Sequence, residues 1–235
     1  MRFSLLAACV LFAGIQTLSA ESVVADFSST NNPNGSYQYG YESALGLNFA
    51  LFPDQLSGSG YAGYESATDG TGAAIYGVDG SVASSGTVIF TPGFLNFSPS
   101  STGQLAVLRY TVSSSGLYDV TGEFRGQDSH GVTTDAHVLF NNDLLNTSDF
   151  NADVNGTGDP SAQTFDIAGI HLNAGDTIDF ALGDGGNGYT YDNTGLQATI
   201  TETTPDAASD APEPGSVLLV AAGVISLLAL KRRFV

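Results

Sequence analysis

Leu105-Ala106-Val107-Leu108-Arg109-Tyr110-Thr111-Val112, then Ser113-Ser114-Ser115-Gly116, then Leu117-Tyr118-Asp119-Val120-Thr121-Gly122-Glu123-Phe124-Arg125 form two runs of period-two alternation separated by a small-residue break. In the first run Ala106, Leu108, Tyr110 and Val112 share one face and Arg109 and Thr111 the other. In the second, Tyr118, Val120, Gly122 and Phe124 oppose Asp119, Thr121, Glu123 and Arg125. Successive side chains of a strand point to opposite faces, so each run predicts a strand buried on one side. Further strands are expected at 136–140, 163–172, 177–182 and 195–201, with weaker patterns at 23–27, 47–52 and 87–90. Asn173-Ala174-Gly175-Asp176 and Gly183-Asp184-Gly185-Gly186-Asn187-Gly188 carry the residues that turns require, and no helix-period segment of useful length lies between 21 and 204. The expected fold is all-β, an antiparallel β-sandwich of jelly-roll-like form over residues 21–201. An N-terminal signal helix and a single C-terminal hydrophobic helix are expected outside it.

Composition narrows the chemistry. All 24 acidic residues lie between the two apolar ends, together with only two basic ones, Arg109 and Arg125, and no lysine. Such a chain repels phosphate backbones, which excludes nucleic acid as a partner. Cys9 is the only cysteine and lies in the apolar N-terminal run, so the domain is expected to have neither a disulfide nor a cysteine-based metal or catalytic site. Gly40-Tyr41-Glu42-Ser43-Ala44 recurs as Gly63-Tyr64-Glu65-Ser66-Ala67, and two copies are too few for a stacked-repeat fold.

The ends read as addresses. Met1-Arg2, an apolar run over 3–15 and Thr17-Leu18-Ser19-Ala20 have the order of a signal peptide over residues 1–20, so the Sec translocon and signal peptidase are expected partners and Glu21 the first mature residue. Leu6-Ala7-Ala8-Cys9 spells a lipobox, but the apolar run continues past it, which argues against lipidation. At the other end, a polar linker over 202–211 leads to Pro212-Glu213-Pro214-Gly215-Ser216, an uncharged run over 217–230 and Lys231-Arg232-Arg233. As a helix the uncharged run would rise about 21 Å, short of the roughly 30 Å of a bilayer core, so a transient hold in the inner membrane is expected rather than a permanent span. Lys231, Arg232 and Arg233 would stop it on the cytoplasmic side.

Motif, apolar stretch and basic stop over 212–235 resemble the PEP-CTERM sorting signal. That resemblance implies an exosortase-like membrane protease as partner and the cell surface or extracellular space as destination. The middle of the chain resembles an uncharacterised β-sandwich family of exported bacterial proteins, many with such tails. The resemblance rests on Asn31-Asn32-Pro33-Asn34-Gly35 with Tyr39-Gly40-Tyr41, on Thr133-Thr134-Asp135-Ala136-His137-Val138, and on Ala174-Gly175-Asp176-Thr177-Ile178-Asp179-Phe180 with Gly185-Gly186-Asn187-Gly188-Tyr189. Tyr37-Gln38 and Thr91-Pro92-Gly93 depart from the tryptophan and the His-Pro-Gly usual in that family.

Several constellations could carry chemistry. Asp184, Asn187 and Asp192 sit in a glycine-rich stretch of hard oxygen donors, the kind calcium takes, and Asp26 is the expected fourth ligand of a structural calcium site. Asp128-Ser129-His130 and Asp135-Ala136-His137 are Asp-x-His pairs; Asp135 and His137 share a strand face and form a weaker, transition-metal alternative. Tyr39, Tyr41, Tyr189 and Tyr191 are the candidate platforms for a glycan, the polysaccharide matrix being the expected ligand. Glu42, Glu65 and Glu123 are the carboxylates a small glycoside hydrolase would draw on, but no nucleophile elbow, zinc motif or phosphate loop is present, and no catalytic residue is assigned. The sequence thus suggests a structural or adhesive protein of the envelope or exopolysaccharide matrix, with a carbohydrate-binding module as the alternative and a small hydrolase as the third reading. Aromatics on one exposed face would favour binding, paired carboxylates across a cleft hydrolysis, and an evenly acidic surface a structural role.

Overall fold

The computed structural model describes residues 20–143 and 149–205. The signal helix, the sorting motif at 212–216, the hydrophobic helix and the basic stop lie outside these residues. Among the described residues no helix is long and apolar enough to cross a membrane. In chain order the strands are β1 (Ala20–Ser22), β2 (Tyr37–Glu42), β3 (Ala50–Leu51), β4 (Asp54–Gly58), β5 (Tyr61–Glu65), β6 (Ala74–Val78), β7 (Ser84–Ser85), β8 (Val88–Ile89), β9 (Leu95–Ser98), β10 (Leu105–Thr111), β11 (Gly116–Gly126), β12 (Val132–Phe140), β13 (Phe150–Gly156), β14 (Gln163–Leu172), β15 (Thr177–Gly183) and β16 (Thr194–Pro205).

All pairings are antiparallel. One sheet runs β14-β11-β16-β9-β6-β5-β4, with β1 added alongside β16; the other runs β13-β12-β15-β10-β2-β3; β7 and β8 form a small hairpin. The sheets face each other across one core. Tyr64, Ile75, Leu95, Phe97, Val120, Phe124 and Leu196 come from the first sheet, and Tyr37, Tyr39, Leu108, Tyr110, Val138, Ile178 and Phe180 from the second. Each such buried side chain contributes roughly 1.5–3 kcal/mol, and with no disulfide this burial is what holds the sandwich.

The alternation read in 105–125 is realised. Ala106, Leu108, Tyr110, Val112, Tyr118, Val120 and Phe124 all enter the core. Gly122 takes the remaining inward position because a Cβ there would meet the Phe165 ring at 2.6 Å. β10 is more buried than one-sided patterning requires, since Leu105 and Val107 on its outer face are covered by Leu45 and Phe49. β16 continues through Glu202 to Pro205, pairing with Leu117 and Gly116 beyond a bulge, so four residues of the expected linker belong to the sheet. β-Branched Thr201, Thr203 and Thr204 suit that extension. The Gly-Tyr-Glu of the two Gly-Tyr-Glu-Ser-Ala copies ends β2 and β5, strands of opposite sheets.

Candidate functional site

Two polar regions stand out, one at a loop corner and one on the outer face of the six-stranded sheet. The loop corner gathers 127–133 and 184–193. β11 ends at Gly126, and the chain is pinned by Gln127 N donating to Asn193 O at 2.8 Å and Ser129 N to Thr87 O at 2.9 Å. Asp128 is buried there. Its Oδ1 accepts from His130 N at 2.9 Å and lies 3.3 Å from His130 Nδ1, while Oδ2 accepts from the Thr87 hydroxyl at 2.6 Å. The His130 ring so oriented stacks on Tyr191, with centroids 4.2 Å apart and planes 17° from parallel. Tyr191 is 45% exposed and has φ +69°, a left-handed conformation that a bulky residue adopts only when its surroundings impose it.

Beside this stack, Asp192 Oδ1 accepts from Thr133 N at 2.8 Å, and the Thr133 hydroxyl lies between Asp192 Oδ1 at 3.3 Å and Asn187 Oδ1 at 3.1 Å. Asp192 Oδ2 is buried without a hydrogen-bond partner. Burial pushes the Asp192 carboxyl above the ordinary range, the Thr133 bonds oppose this, and the charges of Asp184 and Asp128 add to it. The corner is therefore rich in acceptors and has one exposed aromatic ring. It suits hydroxyl donors and repels anions.

Among the expected calcium ligands, Asn187 and Asp192 converge on Thr133, and Asp184 lies close enough to act on Asp192, although its Oδ1 already accepts from Gly186 N at 2.9 Å. Asp26 does not join them. It caps Ser22 N at 2.8 Å beside β1 and acts on Tyr37, at the end of the six-stranded sheet opposite Gly183. The four-ligand set is corrected accordingly, because one strand's length separates Asp26 from the rest. Among the described residues no three His, Cys, Asp or Glu side chains are grouped to hold a metal ion.

Asp135 and His137 do meet, but as a hydrogen-bonded pair. His137 Nε2 lies 2.8 Å from Asp135 Oδ2 and Nδ1 lies 2.6 Å from Asn151 Oδ1. Both ring nitrogens therefore face oxygens, and the pair is held by hydrogen bonds. Burial works against the charged ring, yet the Asp135 and Asn151 bonds hold the His137 pKa above its usual value. The same His137 bond leads in lowering Asp135.

The tyrosine platforms are corrected as well. Tyr37, Tyr39 and Tyr41 are alternate residues of β2 and turn inward. Tyr39 is fully buried, stacked on Tyr64 at 5.4 Å, and its hydroxyl is pushed up to about 12 chiefly by burial. Asn32 closes the edge beside it, donating to Tyr39 O at 2.7 Å and accepting from Tyr39 N at 3.0 Å. Tyr41 packs on the core against Phe52, and Tyr189 is half-buried. Only Tyr191 presents an exposed ring.

The second region passed unnoticed in the sequence. Arg109, on the outer face of β10, binds Asp179 of β15 through Nε at 2.7 Å and Nη2 at 2.8 Å, the Asn142 amide oxygen at 2.7 Å, and Glu42 of β2 at 3.5 Å. Phe49 lies 4.0 Å over its guanidinium, and Glu42 Oε2 accepts from Gly46 N at 2.7 Å, which fixes the covering 43–49 loop. Asn141 and Asn142, both in the left-handed region, form the turn that brings Asn142 to the arginine. Glu42 and Asp179 are wholly buried. Burial and then the Asp179 charge raise Glu42 to about 7, while Asp179 is raised by burial against the pull of Arg109. Glu65 and Glu123 stand on the other sheet, so the three glutamates singled out in the sequence do not meet. The available signal was that Arg109 is one of only two cations in the domain, set in a strand amid acid.

A groove of about 950 Å³ crosses the outer face of the eight-stranded sheet, between Tyr61, Val78, Val82, Phe90 and Phe94. It holds none of the expected site residues.

Residues 210–233 match the PEP-CTERM protein-sorting motif. The chain carries a PEP-CTERM sorting signal. It is thereby marked as an exosortase-sorted surface protein, processed by an exosortase-like membrane protease after export and transient anchoring. No curated protein matches the chain. Among solved structures the chain is similar to TmCBM61 in complex with β-1,4-galactotriose, at 14% identity and TM-score 0.30 over 46% of this chain and 68% of that one. It is also similar to the Podospora anserina GH26-CBM35 β-(1,4)-mannanase, at 18% identity and TM-score 0.31, where it covers 57% of this chain and spans only 25% of the enzyme. A mutant of CBM29-2, a family 29 carbohydrate-binding module, matches at 12% identity and TM-score 0.28 over 76% of this chain and 98% of that one. Likeness at this level carries no function across.

Proposed function

We propose that this PEP-CTERM protein is a structural or adhesive component of the cell envelope or exopolysaccharide matrix, exported through Sec, cut after Ala20, and released to the surface once its tail is processed. The supporting observation is where the tyrosines go. Tyr37, Tyr39, Tyr64, Tyr76, Tyr110 and Tyr118 are buried, Tyr41, Tyr61 and Tyr189 are half-buried and Tyr191 alone among the tyrosines is exposed, so most tyrosines stabilise the core rather than stand on a surface. Glu42 and Asp179, which approach one another on the sheet face, are closed from solvent and share Arg109.

Glycan binding is the second reading, and the exposed Tyr191 ring beside the acceptors of Asp128, Asn187 and Asp192 favours it. Titration of the whole mature protein against the host's exopolysaccharide, with calcium and with EDTA, separates the two. Absence of saturable binding, together with a matrix that weakens when the gene is deleted, is the expected result. Saturable binding abolished by Tyr191→Ala would replace the structural reading with the lectin-like one.

A further inference from the structure

The first strand of the sandwich contains the bond at which the leader is expected to be cut. Ala20, Glu21 and Ser22 pair with Thr201, Ile200 and Thr199 of β16. β16 is covered by β11 along its other side, and β9 reaches only 194–196, so β1 completes the ladder beyond β9. Residues 23–27 then plug the end of the sandwich. Val23 N donates to Ala198 O at 3.1 Å and its side chain is fully buried. Asp26 Oδ2 accepts from Ser22 N at 2.8 Å, Asp26 O accepts from the Asn34 amide at 2.9 Å, and the Phe27 ring meets Tyr39 edge-on at 5.0 Å.

We propose that folding and leader removal compete for residues 20–22, so that the Ala20–Glu21 bond is cut only before β1 docks on β16. This rests on the leader reading of residues 1–20. Cleavage adds water across the bond, the hydroxyl going to the Ala20 carbonyl and the proton to the Glu21 nitrogen, and a signal peptidase must first hold the substrate backbone extended and unpaired. In the closed sandwich that backbone is committed to β16, and Ser22 N is also held by Asp26. From Ile15, where the apolar run ends, to Ala20 the chain has only five residue steps, a reach of at most about 18 Å. A membrane-bound leader therefore has no slack with which to offer the bond once the plug is seated. β16 is the last of the described strands to be made, which gives the peptidase its interval. A chain that closes first keeps its leader, and is then held by both ends.

The test uses the full-length precursor in detergent, presented to purified signal peptidase either after folding or at the moment of dilution from urea, with sequencing of the new N-terminus. Glu21 is expected as that N-terminus, released about tenfold or more slowly from the folded chain, since cutting then waits on local opening of β1. Asp26→Ala removes a hold on Ser22 without touching 17–21, and is expected to bring the folded rate toward the unfolded one. Equal rates in the two presentations, with Glu21 still produced, would overturn the competition alone. A different N-terminus would overturn the leader reading and the proposal with it. Undiminished protection in Asp26→Ala would overturn the role given to β1.

Discussion

The outer face of the six-stranded sheet and the loop corner around Tyr191 both combine carboxylates, asparagines and a histidine, but they end in opposite states. On the sheet face Arg109 ties Asp179, Glu42 and Asn142 together under the 43–49 loop, and the charges disappear from the surface. At the corner no guanidinium plays that part. Asp128 and Oδ1 of Asp192 instead accept from hydroxyls and backbone N–H groups, Asp192 Oδ2 stays without a partner, and the rim stays open with Tyr191 standing out of it. In a domain with two arginines and no lysine, the position of a guanidinium separates a sealed polar cluster from an open one.

Removing that cation is expected to have the largest effect. Arg109→Ala leaves two buried carboxylates unpaired and should cost about 3–5 kcal/mol in urea unfolding, as breaking a buried pair does. A loss below about 1 kcal/mol would mean that the sheet face is held by Leu45 and Phe49 packing alone. Next comes the corner. Asp128→Ala strands the Thr87 hydroxyl and frees His130, and should cost about 1–3 kcal/mol while broadening the His130 ring resonances in NMR spectra. Unchanged His130 resonances would show that Tyr191, and not Asp128, sets the ring.

A pH scan extends the contrast. Glu42 is raised to about 7 and His137 is raised above its ordinary value, and a group with a raised folded-state pKa gives stability that is present below its unfolded pKa and lost as pH rises through the folded one. Folding should therefore lose stability between about pH 4.5 and pH 7 as Glu42 ionises, by at most roughly 3 kcal/mol, with His137 extending the loss to higher pH, and Glu42→Gln should flatten the first part of that slope. Stability that stays level over this window would show that Glu42 is ionised throughout. Tyr191→Ala is expected to be the mildest change, within about 0.5 kcal/mol, because the ring is exposed and alanine bears the same left-handed backbone. A larger loss would make the His130 stack a structural clamp.

Period-two alternation places β10 and β11 and their inward residues correctly, and locates β15, because strand geometry links sequence parity to face directly. The same parity locates Asp135 and His137 side by side. It does not say which face of β2 turns inward, and so it leaves Tyr39 and Tyr41 on a surface they do not occupy. Tyrosine serves core and platform equally well, and only its partners across the sandwich distinguish the two. Long-range pairing is the other blind spot. Glu42, Arg109 and Asp179 lie on three strands that become neighbours only through the order β15-β10-β2, and Asp26 is separated from Asp184 by the same topology. The sorting tail needs no topology at all, because its three parts are read in linear order.

The embedding of β16 also has a mechanical meaning. This strand carries the chain to Pro205 and lies between β11 on one side and β9 with β1 on the other. Ladder hydrogen bonds run perpendicular to the strands, so tension drawn along β16 from its C-terminal end loads many of them sideways at once and does not peel them open singly. A surface protein dragged by flow at that end would then yield as a unit, with a lifetime set by the unfolding rate rather than by the strength of any one bond.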